Sequence, residues 1–369
     1  MEQILKWSMI ALAVVVIGVL TYGFVKENIV KARESVATVG STPIATAEFQ
    51  SRVRFTRLQL NNELGYLFQQ QQALDPTNPD VQFYLEYIQG NIRDLQSQLA
   101  PENALILGEE ALEQLIQEEL VRQEAARRGI TVSSEELDTE IEQFFGYDRN
   151  PVMPTIALST TLPVTPTDAL EPEPTPTQMT EQDFRQRYDN FIKNMRDINV
   201  TEKLYRSWVE VTLLQEKLQE QLVEETPTTA DQVKLRYISV DDEQRASEVA
   251  ARWDAGEDYE VLLSEVQEDE EIRAYGSEVD WLPRDALERR FDADLAEMIF
   301  SMPVGERSAP ILSQDTNEYT IIEMLGHEER ELDLYYRQQM ATEAFQEWLE
   351  AQQVLVQRGT YRDRVPTDP

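Results

Sequence analysis

Residues 233–240 read VKLRYISV, and their reading decides the fold. Val233, Leu235, Tyr237 and Ser239 alternate with Lys234, Arg236, Ile238 and Val240, which is the period of a strand. Immediately downstream the period changes. DDEQRASEVAARWDAG (241–256) is an amphipathic helix ending at Gly256, and YEVLLSEV (259–266) is a second short helix. YGSEVDWLP (275–283), SAPILS (308–313) and EYTIIEML (318–325) then supply turns and strands. Strands mixed with short helices predict an α+β domain. Two residues past the last strand stands His327, the only histidine of the chain, expected to be a solvated residue at the domain exit.

On either side the pattern is helical. The stretch from 41 to 99 opens a helix at Thr46 and holds the polar run Gln69–Gln72, read as a solvated face or loop. Leu112, Leu115, Ile116 and Leu120 keep to one face of the next helix, which leaves through Arg127 and Arg128 into Gly129. Ser133 with Glu136 three residues on predicts a capping box, and Val132 with Leu137 a hydrophobic staple. From 150 to 178 seven prolines and seven threonines exclude regular structure, so an extended, disordered excursion is expected. Helix resumes from Thr180 to Glu225, with Leu204, Trp208, Val211, Leu214 and Leu218 as its stripe. After His327 the expectation is helix to about 357, carrying Tyr336, Met340, Phe345, Trp348 and Leu349.

Charge and composition remove several function classes. A formal charge of −36, from 69 acids and 33 bases, repels phosphate backbones and argues against nucleic acid as a partner. With no cysteine there is no disulfide, thiol nucleophile, cysteine zinc site or lipoprotein cysteine. Neither a metal nor a cofactor is expected. The thirteen acids between Asp241 and Ile272 read as a solvated helical surface, without the alternating oxygen ligands of a calcium loop. One histidine leaves a Ser/His/Asp hydrolase resting on His327 alone, and no GxSxG, HExxH or phosphate-loop pattern is present. WSMIALAVVVIGVLTYGFV (7–25) is uncharged over 19 residues, near the roughly 20 that span a bilayer, and is read as a transmembrane anchor with a cleaved signal peptide as its rival. The flanking charges do not set its orientation.

Taken in order, RYISVDDEQRASEVAARWDAGEDYEVLLSEV, YGSEVDWLPRDAL, MPVGERSAPI and EYTII make residues 232–325 resemble the parvulin, or PpiC-type, peptidyl-prolyl isomerase domain. The flanks VATVGSTPIATAEF, LEQLIQEELVRQEAARRGITVSSEELDTEI and AFQEWLEAQQ resemble the SurA and PrsA class of extracytoplasmic foldases. That resemblance implies a helical chaperone module built from both flanks with the isomerase domain inserted in it. The expected layout is a membrane anchor over 1–35, helical module over 36–149 and 179–226 around the excursion, parvulin-like domain over 230–327, and a C-terminal helix over 328–358 returning to the module. It also implies that the bulk of the chain lies outside the cytoplasmic membrane.

The resemblance places site residues as well. The family's two active-site histidines fall on Tyr237 and Thr320, and its acidic or thiol position falls near Glu268 or Asp269. The apolar floor that would take a prolyl ring falls on Val279, on Phe291 and Leu295 read as one helical turn apart, and on Phe300. With both imidazoles replaced by hydroxyls, weakened or absent catalysis is expected. The implied function is a membrane-anchored foldase or chaperone for unfolded or proline-containing polypeptides, with a degenerate isomerase domain. Its alternatives are an active isomerase and a fixed-partner subunit of an envelope assembly complex.

Overall fold

The structure is a computed structural model that describes residues 33–149, 179–269, 272–291, 293–313 and 316–368. The apolar run 7–25 and the proline-rich stretch 150–178 lie outside the described residues. Among the described residues no helix is long and apolar enough to cross a membrane. The chain divides into two compact units, one comprising residues up to Glu220 together with Glu347 onward, the other Gln221–Gln346. The architecture mixes helix and sheet, as the α+β reading expects.

In the first unit a hairpin, β1 (Ser35–Val39) and β2 (Thr42–Ala45), precedes the helices. It occupies the residues before Thr46, where the helix opens as expected. Helices α1 (Thr46–Ala73) and α2 (Gln82–Leu99) form an antiparallel pair closed by Leu67, Ile88, Ile92 and Leu95. In α3 (Ala104–Arg128) the sequence stripe Leu112, Leu115, Ile116 and Leu120 is buried, and Gly129 ends the helix with φ of 74°, a left-handed conformation costly for other residues. Helix α4 (Ser134–Phe144) has the capping box: Glu136 N–H donates to Ser133 Oγ, and Ser133 N–H to Glu136 Oε2. Thr180 and Asp183 repeat the device at α5 (Glu181–Asp197). Trp208, Val211, Leu214 and Leu218 are buried along α6 (Glu202–Glu225).

Glu124, one turn from the end of α3, is buried and chelated by Arg127 and Arg128 at 2.6–2.7 Å. The Arg127 hydrogen bonds, with those of Arg128, hold its carboxyl down at about 2 against an ordinary 4.5. A depressed folded pKa contributes stability that is present above pH 4.5 and lost as the pH falls toward 2. Glu124→Gln is therefore expected to lower the stability of this unit at neutral pH by about 1 kcal/mol. The gap between wild-type and variant melting midpoints should close over that acid window. A gap independent of pH would show that the ion cluster contributes nothing.

The second unit is an antiparallel sheet in the order β4-β3-β6-β5. Its long centre is β3 (Thr229–Val240) against β6 (Tyr319–Glu331), with β4 (Ala274–Pro283) and the short β5 (Ile311–Leu312) outside. On one face Ile238, Val240 and Ile321 meet α7 (Glu243–Asp254) and α8 (Tyr259–Glu268) around Trp253 and Leu262. On the other, Leu235, Tyr237, Val279, Ile322 and Met324 meet α9 (Arg284–Arg290) and α10 (Ala293–Ser301). The long helix α11 (Leu334–Gln352) follows, then β7 (Val356–Arg358), which pairs with β1.

Two sequence expectations are corrected here. His327 does not lie beyond the strand: β6 continues to Glu331, and His327 stands opposite Val233. The charged run GHEERE carries no apolar signal, and its extended conformation is fixed by pairing with residues 229–234. Accordingly the helix expected from residue 328 starts at Leu334, and its end gives way to strand at Val356.

Candidate functional site

Period two carries Tyr237 and Ser239 to the same face of β3, and the register sets Ser239 opposite Thr320 of β6. All three side chains are buried, and the Ser239 and Thr320 hydroxyls are hydrogen-bonded at 2.8 Å. They wall a pocket of about 180 Å³ whose apolar side is Phe291 and Leu295 and whose rim includes Tyr275, Arg289 and Arg290. The Tyr237 ring packs edge-on to Phe291 at 5.2 Å and to Tyr275 at 6.2 Å. Its hydroxyl accepts from Arg290 Nη2 at 3.2 Å, and Arg290 also donates to Ser277 Oγ at 3.1 Å. Tyr259 donates its hydroxyl to the Tyr237 carbonyl at 3.2 Å. Beside that carbonyl is Gly276, where a Cβ would fall 2.3 Å from the oxygen, so no larger residue fits. Tyr275 donates to the buried Glu318; burial, then this carboxylate, pushes the phenol up to about 12, so it stays a donor at physiological pH.

Of the residues assigned from sequence, Tyr237, Thr320, Phe291 and Leu295 converge on this pocket. Phe291 and Leu295 are not on one helix: Phe291 is the extended cap residue after α9, and Leu295 belongs to α10. Val279 and Phe300 lie in the core cluster under the pocket and do not line it. Phe300 packs edge-on to His327 at 5.6 Å, with Arg284 at 4.5 Å over its ring. Asp269 is also absent from the lining; it caps the end of α8 and is ion-paired with Arg245 at 3.5 Å. Sequence reading misses Ser239, although the alternation of RYISV already pairs it with Tyr237, and misses Arg290, which only the fold brings to Tyr237. His327 is engaged with Asp231 Oδ2 at 2.9 Å. The lining thus carries six hydroxyls, from Tyr237, Ser239, Tyr275, Ser313, Thr316 and Thr320, and the guanidiniums of Arg289 and Arg290, beside the apolar Phe291 and Leu295. It can hydrogen-bond a peptide carbonyl beside an apolar ring, but has no imidazole.

The helical unit holds a larger cleft of about 420 Å³, lined by α1, α3, α4, α5 and α6. Phe55, Phe144, Phe191, Tyr205 and Trp208 make it aromatic. Arg52 binds both oxygens of Glu118 at 2.6 and 2.7 Å, and its guanidinium lies 4.0 Å over the Trp208 ring. Burial raises the Glu118 pKa and lowers that of Arg52 in spite of their contact, so desolvation exceeds their mutual attraction. Among the described residues neither Arg52 Nε nor Trp208 Nε1 has a hydrogen-bond partner, although both atoms are buried. Both atoms are covered by protein, so each gains an acceptor only when a bound segment displaces that cover.

A SurA-like N-terminal domain model matches residues 80–150. The foldase protein PrsA of Halalkalibacterium halodurans is 27% identical over 218 residues, 58% of this chain and 56% of that protein. The foldase protein PrsA of Geobacillus kaustophilus is 28% identical over 118 residues, 30% of this chain and 41% of that protein. The chain therefore spans about half the length of the curated relatives it matches. Among solved structures, the peptidylprolyl isomerase PrsA of Bacillus anthracis covers 66% of this chain and 95% of its own at 14% identity and a TM-score of 0.34. That of Bacillus cereus covers 72% and 83% at 15% identity and a TM-score of 0.35. On the sequence matches, the chain is a SurA/PrsA-like protein with a SurA-like N-terminal domain segment at residues 80–150.

Proposed function

We propose that the chain is a membrane-anchored, extracytoplasmic foldase or chaperone for unfolded or secreted proteins. Its parvulin-like sheet unit is inserted between the halves of the helical module and is degenerate as an isomerase. The observation that carries this reading is the aromatic cleft of about 420 Å³ with two buried, unpartnered donors. An extended polypeptide supplies what such a cleft lacks: apolar side chains for the rings and carbonyl oxygens for Arg52 Nε and Trp208 Nε1. Anchoring rests on the apolar run 7–25. Placement of the bulk outside the cytoplasm rests on the likeness to the foldases.

Phe144 lines the cleft yet is 70% exposed, so it can be changed without opening the core. Phe144→Ser is expected to raise the concentration needed to suppress aggregation of a denatured client roughly fivefold, the loss of about 1 kcal/mol of apolar contact. Its melting midpoint should be that of wild type. Full suppression by Phe144→Ser and by Trp208→Phe together would remove the cleft from client handling. Co-purification of a single stoichiometric partner, with no binding to unrelated unfolded chains, would favour a fixed-partner subunit instead.

The hydroxyl-lined pocket favours a second reading, an active isomerase. Twisting a prolyl amide breaks no bond to carbon, so a dry apolar wall with correctly placed donors is chemically sufficient.

A further inference from the structure

The pair α1 and α2 forms a helical hairpin, termed the arm: α1 has 28 residues, about 42 Å at 1.5 Å per residue. The inward residues Leu67, Ile88 and Ile92 close the pair on itself, which leaves the outward residues nothing in the described chain to cover them. Those outward residues are aromatic. Phe83 is 85% exposed, Tyr87 60%, Tyr66 59% and Tyr84 44%. Tyr84 and Tyr87 are stacked, with ring centroids 6.5 Å apart and planes at 16°. An exposed aromatic group of this extent on a helix tip is unfavourable in water unless something covers it.

Charge identifies the cover. From Leu58 through Ile92 there is no Lys, Arg or His, while Glu63, Asp75, Asp80 and Glu86 are acidic. Outside this stretch the helical arm is bounded by Arg57 and Arg93. A second copy would bring like charge against like, and an anionic lipid surface would be repelled. The polar surroundings are mostly neutral amides, Gln69 to Gln72 among them, which adapt to many backbones. Stacked ring faces on a stretch whose charged residues are all acidic favour guanidinium and ammonium groups.

We propose that the tip of this arm is a second client-contact surface, selective for unfolded polypeptide segments that carry Arg or Lys among apolar residues. It rests on the client-binding reading above for the class of partner and goes beyond it in site and selectivity. The cleft takes apolar side chains and carbonyls; the tip takes the cationic stretches.

The test uses the full-length chain in nanodiscs of zwitterionic lipid, with empty nanodiscs as blank. Two labelled, unstructured Gly/Ser peptides serve as probes, one bearing Leu with Arg and the other Leu with Gln. Fluorescence anisotropy reads their affinities for wild type, for a tip variant (Phe83→Ser, Tyr84→Ser, Tyr87→Ser), for Glu86→Lys and for Phe144→Ser. The tip variant is expected to lose roughly tenfold in affinity for the Arg probe and little for the Gln probe. Glu86→Lys, which leaves every ring in place, should weaken the Arg probe alone, and Phe144→Ser should weaken both. Wild-type binding of both probes with the tip variants unchanged overturns the tip inference and leaves the cleft reading standing. No binding of either probe to wild type overturns both. Loss, in the tip variant, of anionic-vesicle binding or of self-association with probe affinity retained assigns the surface to lipid or to a second copy and overturns it as well.

Discussion

Removal of residues 353–369 is expected to unfold the helical unit while Gln221–Gln346 stays folded. The segment contributes β7, the third strand of the sheet β2-β1-β7. Its loss strips the ladder from β1, whose Val36 and Val39 are fully buried, and leaves the Val36 carbonyl without the Gly359 N–H that now reaches it at 2.8 Å. Arg358 holds both oxygens of Glu113, at 2.8 and 2.7 Å, and Arg364 donates to Glu34 at 2.6 Å and to Thr46 Oγ1 at 2.7 Å. Tyr361 packs edge-on to the fully buried Phe49 at 5.9 Å. Val365 fills the space over Gly108, where a Cβ would stand 2.5 Å from its methyl group. The exposed ion pairs contribute at most about 1 kcal/mol each. Uncovering Phe49, Gly108 and the edge of β1 costs more, so the sum approaches about 5 kcal/mol, the lower end of a domain's whole stability. Hydrogen exchange is the direct measurement. Amides of α3 and α6 should lose protection in the truncated chain, while those of β3 and β6 keep theirs. Retained protection in α3 would show that the N-terminal helices stand without the C-terminal strand.

The same contacts show what sequence can and cannot display. The stripe Leu112, Leu115, Ile116, Leu120 and the box at Ser133 are legible because the forces that set them act within one or two helical turns. VKLRYISV is legible because burial of its alternate residues leaves a period. β7 is not: three residues have no periodicity, and their conformation comes from a partner more than three hundred positions away. The hairpin β1–β2 escapes for a related reason, since VATVGSTPIA is short and its turn at Gly40 is read only once the pairing is known. Tyr237 and Thr320, which the family resemblance singles out, line one pocket. Arg52 and Glu118, 66 positions apart, are two ordinary surface-type residues until the helices cross, which buries Arg52 and leaves Glu118 only slightly exposed. Asp269, which the same resemblance assigns to the site, does not line the pocket and is ion-paired with Arg245 at 3.5 Å.

Replacing Tyr237 and Thr320 together by histidine is expected to raise prolyl isomerisation by the sheet unit on the order of a hundredfold. The planar amide is protected by a barrier of ~18–20 kcal/mol, so a pocket accelerates the reaction only by contacts that improve as the amide twists. In the present pocket Ser239 and Thr320 bond each other at 2.8 Å, and the Tyr237 oxygen accepts from Arg290 Nη2 at 3.2 Å. The Ser239–Thr320 bond must be given up before both hydroxyls serve a substrate, which cancels much of their worth in the transition state. Two imidazoles, whose ring nitrogens donate or accept, would supply a polar network worth about 2–4 kcal/mol, the usual contribution of a positioned group. At about 1.4 kcal/mol per tenfold, this corresponds to the stated rate. Ground-state affinity for a short prolyl peptide should change little, because Phe291 and Leu295 remain. Phe291→Ala should instead weaken binding about tenfold in either background by exposing apolar surface, without selective loss of turnover. Tyr237→Phe separates the readings. It deletes the hydroxyl, keeps the ring against Phe291 and Tyr275, and leaves a degenerate pocket as slow as before. If wild type already turns over prolyl peptides at a rate the double histidine variant cannot improve, and Tyr237→Phe abolishes it, the hydroxyl network itself is the catalyst and the isomerase reading replaces the degenerate one.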